Sequence, residues 1–308
     1  MRARVGRGRC VEQRVGDRRR YTVLAFCILV AVWGSSFPVI KVGLDHTPPM
    51  LFAGLRTLLG GACVVVAAVL WEGKPRLGRG ALRAVAVAAA LNVVLFIWFQ
   101  TLAVMYLPSG SAAVLIYLQP ILTGFLAWAF LGEELTLLKS LGLFLGFAGV
   151  VAVSSGSLSG GLPVVGVVMG VLSALCWSLG TVYFKRVQDR GSVLWFVAVM
   201  FLAGGAVLTL IGLAVEPWSG ISWNAEFIVS LIYISFAGVG VAWILWLGLV
   251  SAGEASRVSA YIFFVPLVSV ALGAVFLGEE LSYSLILGAA LIVAGIYFVN
   301  RRTAGKGK

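Results

Sequence analysis

The chain has 308 residues, of which 61% are hydrophobic and only 11% charged, with a mean hydropathy of +1.04. A composition this apolar excludes a soluble globular domain and places the chain in a lipid bilayer. The formal net charge of +11 is gathered in the tails and short loops, where it reads as an orientation signal and not as a nucleic-acid surface.

Residues 1–21 carry eight arginines and read as a disordered basic cytoplasmic tail. The basic region is too long for a signal peptide, and Tyr21–Val42 is long enough to span and has no small-residue cleavage site. Runs of about 20 residues, the length that crosses a bilayer core, then follow at 22–42, 49–71, 84–106, 110–131, 138–156, 163–184, 192–215, 227–249, 257–277 and 282–300. None alternates with period two as a barrel strand would. The expected fold is therefore an all-α membrane protein with ten transmembrane helices, closed by a second basic tail at 301–308. Cys10, Cys27, Cys63 and Cys176 are scattered singly and suggest neither a disulfide framework nor a metal site.

The chain repeats itself. Phe130-Leu131-Gly132-Glu133-Glu134-Leu135 returns 146 residues later as Phe276-Leu277-Gly278-Glu279-Glu280-Leu281, and Pro120 falls on Pro266 at the same offset. At an offset of 144, Trp33 meets Trp177, Lys41 meets Lys185, and Gly60-Gly61 meets Gly204-Gly205. The units are residues 22–156 and 163–300, five helices each.

With the N-terminus cytoplasmic, 21 of the 23 Lys and Arg fall on the cytoplasmic side, the exceptions being Lys41 and Arg56. Lys and Arg of this asymmetry orient a membrane protein with both termini cytoplasmic. An odd number of helices per unit makes the second unit enter the membrane in the opposite sense. Inverted repeats of this kind let one central site open alternately to two sides, so transport is the expected function.

In helix 1, Pro38 removes a backbone hydrogen bond, and a kink or unwinding is expected there. Ser35 and Ser36 either re-satisfy the freed carbonyls or face substrate. Lys41 and Asp45 stand at i and i+4 and are expected to form a local ion pair. Arg56 lies about 10 Å into helix 2. It either snorkels to the outer interface or acts as a functional cation that holds a carboxylate or phosphate. Asn92, Gln100, Tyr117 and Gln119 place amides and a phenol near mid-membrane, as interhelical hydrogen bonds or as cavity lining. In the second unit, Asn92 aligns with Gly238 and Gln119 with Val265, so that unit is expected to contribute aromatic contacts: Trp177, Tyr183, Trp243, Trp246, Tyr261 and Phe263. Those rings read equally as packing.

Trp33-Gly34-Ser35-Ser36-Phe37 through Lys41, Arg56, the two prolines Pro120 and Pro266, and the two Leu-Gly-Glu-Glu sequences together resemble the ten-helix permeases of the drug/metabolite transporter superfamily built from two EamA-type domains. The resemblance covers about residues 22–300. It implies two inverted five-helix repeats around a central cavity, alternating access, and export of amino acids, other small metabolites or toxic compounds across the inner membrane of bacteria. The Leu-Gly-Glu motifs recur in that family as structural hallmarks, and a salt bridge to a neighbouring cytoplasmic base is expected for Glu133 and Glu134.

An intramembrane enzyme lacks support. The single histidine, His46, lies in an outer loop, Asp17, Asp45 and Asp189 lie outside the spans, and no serine has a neighbouring base. A channel would show a ring of repeated polar residues, although a facilitative uniporter is compatible with the pattern. The expected reading is a secondary transporter without catalytic residues, metal or cofactor, whose partners are a small-molecule substrate, the bilayer and protons as a candidate coupling ion. Its cavity is expected between helices 1, 3, 4, 6, 8 and 9, with Trp33, Ser36, Arg56, Asn92, Gln100, Tyr117, Gln119, Trp177, Tyr183, Trp243 and Tyr261 as candidate lining and Pro38, Pro120 and Pro266 as helix breaks. A zwitterionic or aromatic amino acid is the expected substrate, with Arg56 as its carboxylate clamp.

Overall fold

The structure, a computed structural model, describes residues 3–75, 78, 80–107, 109–153, 162–268 and 283–301. Ten helices run through the described residues. We label them α1 (Ala3–Leu44), α2 (Pro49–Glu72), α3 (Ala81–Tyr106), α4 (Ser111–Leu131), α5 (Leu137–Val153), α6 (Val164–Val187), α7 (Val193–Val215), α8 (Ala225–Ala252), α9 (Ala255–Val268) and α10 (Tyr283–Asn300). Seven of them, α1 through its Thr22–Leu44 part, are long and apolar enough to cross a bilayer, and α5, α9 and α10 are shorter apolar helices. The described bounds follow the expected runs closely, because a 20-residue apolar helix can satisfy its backbone only internally in lipid. The end of the ninth run, and with it the second Leu-Gly-Glu-Glu sequence, lies outside the described residues. α1 is helical from Ala3, so its backbone continues through the basic stretch expected as a disordered tail.

The two halves meet helix for helix. α2 packs along its repeat mate α7, and α5 along α10. Glycine permits the first of these contacts symmetrically: a β-carbon on Gly61 would come within 2.5 Å of the Leu202 amide, and one on Gly205 within 2.5 Å of the Leu58 amide. The same offset of 144 relates Gly61 to Gly205 and Leu58 to Leu202. Close backbone approach of this kind replaces the hydrophobic effect, which cannot drive helix association within lipid.

Two irregularities are also symmetric, and neither was legible in the sequence. α3 widens into a π turn over Ala90–Leu95 and α8 over Ile234–Val241, so Ala90 and Ile234 begin them 144 residues apart. π turns re-aim side chains within an otherwise regular helix and gather at functional sites. The Pro120 and Pro266 breaks fall about one turn earlier than the prolines. α4 is interrupted at Tyr117–Leu118, and α9 tightens to a 3₁₀ turn over Tyr261–Phe263. A proline ring displaces the carbonyl four residues before it, which is Ile116 in α4 and Ile262 in α9.

Pro38 behaves differently. α1 remains helical through it, so the expected unwinding is absent. Nor do the serine hydroxyls cap the freed carbonyl of Gly34. Ser35 Oγ donates to the carbonyls of Ala31 and Val32 and pairs with Tyr233 Oη at 2.6 Å, while Ser36 Oγ donates to Val32 at 2.6 Å.

Candidate functional site

A central cavity opens where α1, α2, α3, α4, α6 and α8 converge. About 530 Å³ between its walls is free of protein atoms, the open mouth included. Helix α2 enters the lining through Arg56, whereas α9, expected as a wall, contributes none of it.

One wall is aromatic. Trp33 and its repeat mate Trp177 meet edge to face, ring centroids 5.2 Å apart at 84°. Trp243 lies 6.0 Å from Trp33 and 6.3 Å from Trp177, and Phe96 stacks obliquely on Trp177 at 5.1 Å. Trp246 supports this set from behind, at 5.8 Å from Trp33 and 5.7 Å from Trp177. Centroid separations of this size are those of favourable aromatic pairs. Trp33 Nε1 donates to the Gly238 carbonyl at 3.3 Å, tying the first repeat to the π turn of the second.

The lining also carries charge. Arg56 is only 2% exposed. Its guanidinium donates to Gln100 Oε1 at 3.3 Å and Thr101 Oγ1 at 3.1 Å, and lies 5.5 Å from the centroid of the Phe52 ring. Thr101 donates its own proton to the Ile97 carbonyl, which leaves the hydroxyl oxygen free to accept from Arg56. Arg56 Nε has no partner, and among the described residues no carboxylate lines the cavity. The cation therefore turns inward onto α3 instead of snorkelling, and it is held by neutral dipoles alone. An uncompensated buried charge is costly unless a counter-charge arrives.

Of the eleven residues expected to line a cavity, Trp33, Ser36, Arg56, Gln100, Tyr117, Trp177 and Trp243 do so. The others sit elsewhere. Asn92 is buried against Gly180, with both amide atoms unpartnered. Gln119 donates to Thr123 at 2.8 Å within α4. Tyr183 packs, half-buried, on the core, and Tyr261 stacks on Phe26 at 4.5 Å beside a separate apolar groove. Phe37, Ile40, Phe96 and Gly238 line the cavity without having been expected to. An apolar residue in an apolar helix carries no local signal of which way it faces.

Of the expected ion pairs, Glu133 makes its bridge to Lys139, whereas among the described residues Glu134 makes none. Among the described residues no ion pair joins Lys41 to Asp45. Lys41 Nζ donates to the Val104 carbonyl at 3.3 Å, so the lysine links α1 to the end of α3. Glu133 stands 3.6 Å from Lys139 Nζ, and its carboxylate also accepts from the Ala255 amide at 2.6 Å, the Ser256 amide at 3.2 Å and the Ser256 hydroxyl. It thus caps the amino end of α9, where a helix dipole favours negative charge. Lys139 completes the group by bonding Glu254 at 3.1 Å and the backbone carbonyl of Glu134. On the opposite face Glu216 caps α2 through the amides of Met50 and Leu51, at 3.0 and 2.8 Å. Each of these caps joins one half of the molecule to the other.

Both halves, residues 20–155 and 164–301, match the model of the EamA-like transporter family. The chain belongs to that family. This EamA-like transporter is similar to the uncharacterized transporter YvbV of Bacillus subtilis, at 39% identity over 92% of each chain. It is also similar to a probable amino-acid metabolite efflux pump of Salmonella typhimurium, at 31% identity over 90% of this chain and 95% of that one. A solved crystal structure superposes with a TM-score of 0.76 at 21% identity, covering 91% of this chain and 96% of that one, which establishes the fold. The EamA-like transporter is thus a multi-pass membrane protein and not an enzyme.

Proposed function

We propose that this protein exports small organic metabolites, of the size of amino acids and their derivatives, across the bacterial inner membrane by alternating access around the central cavity. The single observation that carries this reading is the buried, uncompensated Arg56 lining one cavity with Trp33, Trp177 and Trp243, residues drawn from both repeats. A guanidinium offers two parallel donors to a carboxylate, and tryptophan faces accept a flat or apolar side chain. The similarity to a probable amino-acid metabolite efflux pump supports the same size class.

The two halves supply the motion. α2 against α7 and α5 against α10 are symmetric seams, while Glu133 on α9 and Glu216 on α2 bridge the halves at opposite faces. Rocking one half against the other breaks one set of bridging contacts and keeps the other, which exposes the cavity to one side at a time.

Flux into proteoliposomes tests the reading. Radiolabelled amino acids, their deaminated derivatives and cationic dyes are offered with and without a pH gradient. Saturable flux that falls at least tenfold in Arg56→Gln, in protein shown to be folded, is expected. Flux indifferent to Arg56 refutes the site. Accumulation that needs the pH gradient assigns proton coupling, and gradient-independent equilibration assigns a facilitator.

A further inference from the structure

Resting on that reading of the cavity, the donor and acceptor balance of its lining carries a finer conclusion. All twelve Asp and Glu of the chain lie outside the membrane-spanning runs read from the sequence or at their very ends. Among the described residues the cavity lining contains one formal charge, the Arg56 cation, and no anion. Two polar side-chain atoms of lining residues are buried without a partner, Arg56 Nε and Trp177 Nε1. Both are donors and nothing else.

Two of the lining's acceptors are engaged, Gln100 Oε1 by Arg56 and the Gly238 carbonyl by Trp33 Nε1, and Ser36 Oγ, its proton given to the Val32 carbonyl, is a neutral acceptor without formal charge. An ammonium group entering here would find no carboxylate and would sit in the same low-dielectric space as Arg56. The aromatic wall offers a cation little in return. The indoles already pair with one another edge to face, and a cation–π contact returns only part of what desolvating an ion costs. An ammonium buried here without a carboxylate is not offset by such a contact. An anion, by contrast, compensates Arg56 and brings acceptors to a lining whose unpartnered buried atoms are donors.

We infer that the cavity selects net-anionic monocarboxylates bearing an aryl or alkyl group and no protonated amine, in preference to zwitterionic amino acids, and rejects organic cations. The carboxylate lies on Arg56 and the apolar part against Trp33, Trp177 and Trp243.

Three probes with one aryl group and three net charges test this: 3-phenylpropionate, L-phenylalanine and phenethylamine, at pH 7. Binding to the purified full chain in detergent is read by thermal shift, and saturable flux is read in proteoliposomes. The expected result is that 3-phenylpropionate binds at least tenfold more tightly than L-phenylalanine, with no saturable binding of phenethylamine. Arg56→Gln is expected to abolish the preference, Arg56→Lys to retain part of it, and Trp177→Phe, which keeps an aromatic ring but removes the donor, to weaken the propionate several-fold. Should the Arg56 variants fail to fold, the wild-type series and Trp177→Phe still decide the question. L-Phenylalanine binding as tightly as the propionate, with Arg56-dependent flux, overturns the charge selection and leaves the carrier reading standing. No saturable binding or flux of any of the three, in folded wild-type protein, overturns both.

Discussion

Glu133, in the loop that ends the fourth helix of the first repeat, accepts a 2.6 Å hydrogen bond from the backbone amide of Ala255, the first residue of α9 in the second repeat. The contact explains what a carboxylate does in the Leu-Gly-Glu-Glu sequence. Gly132, at φ +69°, turns the chain out of α4 in the left-handed region that glycine tolerates best. The turn delivers Glu133 to the amino end of a helix from the other half, with the almost fully buried Lys139 beside it.

The two glutamates of that sequence should therefore differ sharply. Glu133→Gln removes a charged cap and leaves Lys139 with Glu254 as its remaining partner. A loss of about 1–2 kcal/mol is expected. Glu134→Gln should fall within about 0.5 kcal/mol of wild type, as surface changes do, because Lys139 takes its backbone carbonyl. Thermal unfolding of the two variants in one detergent separates them, and equal losses would contradict the assignment.

Loss of the Glu133 cap should also loosen one face of the carrier. In a cysteine-free background with Ser36→Cys in the cavity, Glu133→Gln is expected to raise the rate of labelling by a membrane-impermeant maleimide from the Lys- and Arg-rich face several-fold. Labelling from the opposite face, where Glu216 still caps α2, should not rise.

The seam between α2 and α7 admits no side chain at its glycines. Gly61→Val and Gly205→Val each place a β-carbon within 3 Å of backbone in the facing helix. Overpacking usually costs about 1–3 kcal/mol, and more where backbone must move. Both variants should lower the melting temperature by similar amounts, given their symmetric environments, whereas Gly248→Ala, with open space around it, should be close to neutral.

Lys41 and Asp45 provide a test of a relationship that the helical spacing suggests and the structure lacks. A double-mutant cycle on Lys41→Met and Asp45→Asn should give a coupling energy below about 0.5 kcal/mol, the range of independent sites. Lys41→Met alone should be destabilising through the lost bond to Val104.

What the sequence determined by itself is the part governed by local rules. Lipid forces each span into a helix of known length, charge asymmetry sets the sense of insertion, and the 144–146-residue offsets declare the two halves. Arg56, Trp33 and Trp177 were also conspicuous, because a cation inside a span and a tryptophan repeated at one offset are unusual in any apolar chain. Tertiary structure alone decided which faces meet. Asn92 and Gln100 are both amides in the same helix, yet a π turn between Ala90 and Leu95 separates an amide buried on Gly180 from one that holds Arg56. Likewise Glu133 and Glu134 are adjacent and chemically alike, and only the position of α9, more than a hundred residues further along, makes one of them a cap. Such choices depend on the rotation of each helix about its axis, which apolar sequences encode weakly because lipid and protein interior are equally apolar neighbours.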